Sequence, residues 1–105
     1  MKNNNDDIID LFFIKLKKGL ISNEKKKDLY DLVISLNDRT DLQKERFIIM
    51  YNLKSNLDIK YNFTSLAKEQ NCSCSAIRTS IARIRSALVN LKDDRKEIFS
   101  NIVNT

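Results

Sequence analysis

A single glycine, Gly19, and no proline serve all 105 residues of the chain. Hairpins and barrel corners draw on those two residues for positive φ and sharp reversals. Their near absence predicts an all-α fold joined by polar, asparagine-rich connections. The length suits one small domain around a modest core.

Helical periodicity places the elements. Asp6 to Lys18 begins with acids and ends with lysines, which complements the helix dipole, and Gly19 supplies a left-handed stop. Ile8, Ile9, Leu11, Phe12, Phe13, Ile14 and Leu16 almost encircle this first helix, which predicts burial on two sides or at a subunit interface. Ser22 caps a second helix, with Leu29, Leu32, Val33 and Leu36 as its apolar stripe. Thr40 and Gln43 form a capping box ahead of Leu42, Phe47, Ile48, Met50, Tyr51 and Leu53. Lys54 to Lys60 reads as a loop or a short extended segment. Asn62 then caps a short helix that turns Phe63, Leu66 and Ala67 inward, and Asn71 takes the left-handed turn that stops it. Ser73 caps a fifth helix in which Ile77, Ile81, Ile84, Leu88 and Leu91 recur at steps of four and three. Ile98 and Ile102 continue that spacing past the charged KDDRKE run, which implies a long helix or a helix pair. LDIKYNF, residues 57 to 63, alternates enough to pair as an edge strand, so a winged variant stays open.

Nineteen basic residues against fourteen acidic ones leave a net charge of +5 and a sequence pI near 9.3, which favours an anionic partner. Apolar runs such as Leu11 to Ile14 are far too short to cross a bilayer, and no basic segment followed by a long apolar one opens the chain. A cytoplasmic location is expected. Cys72 and Cys74 in NCSCS are the only cysteines, and the chain has no histidine. A zinc site wants about four such ligands, so no metal and no cofactor are expected; the cysteines fill small-residue positions in a turn. Without histidine, with scattered carboxylates and with no phosphate-cradling glycine loop, an enzyme is not expected either.

Residues 62 to 88 suit a helix-turn-helix, whose second helix must present small or polar residues to base edges in the major groove. Cys74, Ser75, Arg78 and Thr79 are the expected base readers, with Arg78 best placed for a bidentate contact to guanine. Lys68, Ser73, Arg83, Arg85 and Lys92 are the expected phosphate contacts.

SLAKEQNCSCSAIRTSIARIRSAL, residues 65 to 88, together with ERFIIMYNL, residues 45 to 53, resembles the fourth conserved region of bacterial sigma factors. In that family an apolar helix ends in Tyr-x-Leu, and a capped short helix with Leu-Ala or Ile-Ala follows. A Ser-capped helix then carries a Val/Ile-Arg/Lys pair and alternating arginines. Tyr51 and Leu53, Leu66 and Ala67, Ser73, Ile77 and Arg78, and Arg83 and Arg85 occupy those positions. Related families, such as the effector domain of the sporulation response regulator, share the pattern. Asn71 stands where a turn glycine is usual, and KSNLDIKYN is a longer connection than most members carry.

The resemblance covers about residues 38 to 91 and implies double-stranded DNA as partner. The expected organisation is an N-terminal helical segment, 1–37, packed on a sigma-region-4-like domain, 38–92, with a C-terminal helix, 93–105. The domain with which a complete sigma factor melts a promoter is not expected within these 105 residues. A small transcriptional regulator, or a DNA-binding accessory factor of a plasmid, phage or other mobile element, is the expectation. The alternative is a protein-interaction module that keeps the fold and binds RNA polymerase or another protein. For the C-terminal helix two readings stand side by side: it folds back on the core, or it forms a homodimer matched to two DNA half-sites, with Phe12, Phe13, Ile98, Phe99 and Ile102 as the dimer contacts.

Overall fold

The caps legible in the sequence start four helices. A computed structural model describes residues 4–54 and 60–104, and among them the chain forms six helices and no strand. These are α1 (Asn4–Lys17), α2 (Asn23–Ile34), α3 (Asp41–Met50), α4 (Phe63–Glu69), α5 (Cys74–Val89) and α6 (Asp93–Val103). The side chains of Ser22, Thr40, Asn62 and Ser73 each accept from the backbone N–H three residues on. At Thr40 the Gln43 side chain returns the bond, and at Asn62 the Ser65 hydroxyl does so, closing two capping boxes.

The helix ends share a second device. Gly19, Asn52 and Asn71 have φ of 75°, 53° and 54°, and after each the next backbone N–H reaches back to the last helical turn: Leu20 to Lys15 O at 2.9 Å, Leu53 to Ile48 O at 3.0 Å and Cys72 to Ala67 O at 2.9 Å. These are Schellman-type stops, and asparagine fills the left-handed position twice because it tolerates that conformation better than other non-glycine residues. Asn71 was expected there; Asn52 was not.

The core gathers the stripes read from the sequence. Phe47, Leu29, Leu66, Ile77, Ile84, Leu88 and Val33 are fully buried. α3 packs most closely against α5, α4 also lies on α5, and α6 returns to touch α2, α1 and α5. Phe13, Phe47 and Tyr51 form an aromatic cluster with centroids 4.7 to 6.0 Å apart, joining α1 to α3. Burial pushes the Tyr51 phenol above its ordinary value.

The helix-pair expectation holds, since α5 stops at Val89 and α6 starts at Asp93. Arg95, which interrupts the apolar spacing, donates to the Ser35 carbonyl at 2.7 Å and so closes the C-terminus of α2. The α1 ring of apolar residues is covered on one side: Phe12, Phe13 and Leu16 are buried, while Ile8, Leu11 and Ile14 stay 40 to 52% exposed. The expected dimer contacts need correction. Phe12, Phe13, Phe99 and Ile102 are buried within the single chain, because α6 folds back and α1 lies on the aromatic cluster; only Ile98 of that set remains on the surface. Of the segment considered for a wing, residues 57–59 lie outside the described residues, Tyr61 and Asn62 are irregular, and Phe63 opens α4.

Candidate nucleic-acid interface

α4 and α5 are joined by the four residues Gln70 to Ser73, and the outer face of α5 is built from what its core stripe leaves over. With Ile77, Ser80, Ile81, Ile84, Ala87 and Leu88 buried, the exposed positions are Ser75, Arg78, Thr79, Ala82, Arg83 and Ser86. No large apolar side chain stands on that face. Ser75 to Ala82 span about 10 Å of helix, comparable to three base-pair steps.

The turn is held from behind by a residue that sequence reasoning missed. Arg46 of α3 donates from Nε to Gln70 Oε1 at 2.7 Å, from Nη1 to Ser80 Oγ at 2.9 Å and from Nη2 towards Cys72 Sγ at 3.7 Å. Ser80, 3% exposed, donates its hydroxyl hydrogen bond to the Ala76 carbonyl at 3.0 Å. One planar guanidinium therefore joins Gln70 and Cys72 of the turn to the second turn of α5, which suits its fixed fork of donors. Only the match of three donors with three distant acceptors marks Arg46, and a linear sequence does not display that.

The expected base readers are not equally available. Ser75, Arg78 and Thr79 are exposed, whereas Cys74 is half-buried with its Sγ 3.8 Å from Thr64 Oγ1. The Arg78 guanidinium lies 5.3 Å from the Phe63 ring centroid, and Lys17 Nζ lies 5.6 Å from the same ring. Such contacts contribute on the order of 0.5–1 kcal/mol at exposed sites, enough to bias a long side chain toward one orientation. Ala82, on the row of Arg78 and Thr79, was also missed; its four-residue spacing from Arg78 was the available signal.

Among the expected phosphate contacts, Lys68, Arg83 and Lys92 are exposed, the Arg83 carbonyl accepting from Arg39 Nε at 3.0 Å. The Ser73 hydroxyl is engaged in capping α5. Arg85 departs most from expectation: it pairs with Asp10 of α1 and lies 4.8 Å from the Phe13 ring centroid, so it fastens α1 to α5. Cys72 and Cys74 are free thiols, and no cluster of three or more metal-ligating side chains occurs among the described residues.

The fold and this face define an all-α chain with an exposed, small and basic helix surface. No protein-family model matches the chain, and no curated protein or solved structure is significantly similar to it.

Proposed function

We propose that the chain binds double-stranded DNA sequence-specifically, with α4, the turn and α5 working as a helix-turn-helix, as a small transcriptional regulator or as an accessory factor of a plasmid, phage or other mobile element. The observation that carries the reading is the exposed row Ser75, Arg78, Thr79 and Ala82, small enough to enter a major groove and led by one arginine. The net charge of +5 supplies the sequence-independent attraction. Arg46 supports the reading by fixing the angle at which that row is offered.

Selection of bound sites from random duplex DNA, followed by titration of the best site at two salt concentrations, tests it. An enriched motif with salt-dependent affinity supports specific binding; uniform binding with no motif counts against it. The exposed row Ile8, Leu11 and Ile14 on α1 favours a second reading, a module that binds polymerase or another protein. Under that reading Arg78→Ala leaves function intact.

A further inference from the structure

The aromatic ring beneath Arg78 carries a second cation from the far end of the sequence. Asp10, Phe13 and Lys17 recur at steps of three and four and so share one face of α1. All three meet the reading unit: Asp10 and the Phe13 ring meet Arg85, and Lys17 meets Phe63. Asp10 pairs with Arg85, and seven residues later Lys17 shares a ring with Arg78, seven residues earlier. α1 therefore runs antiparallel to α5 and delivers its lysine-bearing C-terminal end beside the leading half of α5. Lys15 and Lys18 add charge to that end.

Two like charges around one ring repel each other. Among the described residues neither Lys17 nor Arg78 has a carboxylate within ion-pair distance, unlike Arg39 with Asp38 and Arg85 with Asp10. An anion bound at Lys17 would offset that repulsion while Arg78 stays free to read a base, and a backbone phosphate is the anion a duplex offers next to that base.

We propose that Lys17 is a DNA-phosphate contact, with Phe63 as the platform it shares with Arg78, so that α1 belongs to the DNA interface. The inference rests on the DNA-binding reading above. Arg78 then reads a base while Lys17 holds the adjacent strand, and the register of one on the other is set by a ring that touches both.

The test compares wild type, Lys17→Ala, Lys17→Arg and the control Lys27→Ala on the best selected duplex and on a shuffled duplex between 50 and 200 mM salt. Lys27 is exposed on α2, which packs on α3 and α6, and its removal subtracts the same net charge. Loss of one phosphate contact lowers the salt slope by about 0.9, so the wild-type affinity ratio between those salts shrinks about 3.5-fold in Lys17→Ala, on both duplexes alike. Lys17→Arg keeps the wild-type slope, and circular dichroism checks that each variant is folded. If wild type binds and Lys17→Ala matches Lys27→Ala, the inference is overturned and the DNA reading stands. If wild type shows no salt-dependent duplex binding, the DNA reading falls, and this inference falls with it.

Discussion

Arg46 donates from Nη1 to the Ser80 hydroxyl across 2.9 Å, joining α3 to the second turn of α5. Hydrogen bonds from a charged donor contribute about 1.5–3 kcal/mol, and this guanidinium makes two well-formed ones besides its approach to Cys72. Arg46→Ala is expected to cost about 2–4 kcal/mol in urea unfolding, and Ser80→Ala about 1 kcal/mol. If Arg46→Ala unfolds at the wild-type midpoint, the grip on the turn does not contribute.

Phe47 is fully buried at the centre of the aromatic cluster. Phe47→Ala removes most of a ring from close packing and is expected to cost about 3–5 kcal/mol, while Phe47→Leu, nearer in volume, costs roughly 1–2 kcal/mol. Thermal unfolding distinguishes the two.

Asn71 sits at φ 54°. A β-carbon without asparagine's tolerance costs about 1 kcal/mol there, so Asn71→Ala destabilises by about that much, whereas Asn71→Gly stays within about 0.5 kcal/mol of wild type. Equal stability of the alanine variant would show that the left-handed turn is not a constraint.

Arg78 and Arg85 look alike in sequence and should behave differently on DNA. Arg78→Ala is expected to reduce discrimination of the best site by about 1–3 kcal/mol. Arg85 is held by Asp10 and Phe13, so Arg85→Ala should leave the salt slope within about 0.3 of wild type, while Lys68→Ala lowers it by about 0.9. A drop of a full unit for Arg85→Ala would mean that the pair opens to DNA.

Burial raises the Tyr51 phenol above 10.0, so the folded state favours its neutral form. The resulting stability is fully present below pH 10.0 and is lost as pH rises through the raised value, because the unfolded phenol ionises first. Tyr51→Phe should lose less stability than wild type between roughly pH 10 and 12, by urea unfolding across that range. Tyr61, raised by its hydrogen bond to Glu69, titrates in the same direction and is present in both proteins.

What the sequence shows depends on how far apart the interacting residues lie. Ser22, Thr40, Asn62 and Ser73 were legible as caps because each bonds a neighbour three residues away. The stripe Ile77, Ile81, Ile84 and Leu88 was legible because helical period alone puts those residues on one face. α1 was harder, since an apolar ring has no preferred side until α3 and α6 supply one; that is how Phe12 and Phe13 came to be read as dimer contacts. Arg85 and Arg83 were indistinguishable until α1 placed Asp10, 75 residues away, beside one of them. Arg46 remained hidden for the same reason, its acceptors lying 24 to 34 residues further on.

α1 is fastened to the rest through Phe12, Phe13 and Leu16 and through long polar side chains, while α3 and α5 pack with their backbones close together. Segments held this way detach by local opening at a lower free energy than global unfolding. Amide protons of α1 are therefore expected to exchange with solvent through a species in which α3 and α5 are still native, which native-state hydrogen exchange checks. A partner that engages Lys17 would close that opening, and part of its binding free energy would go into retaining α1.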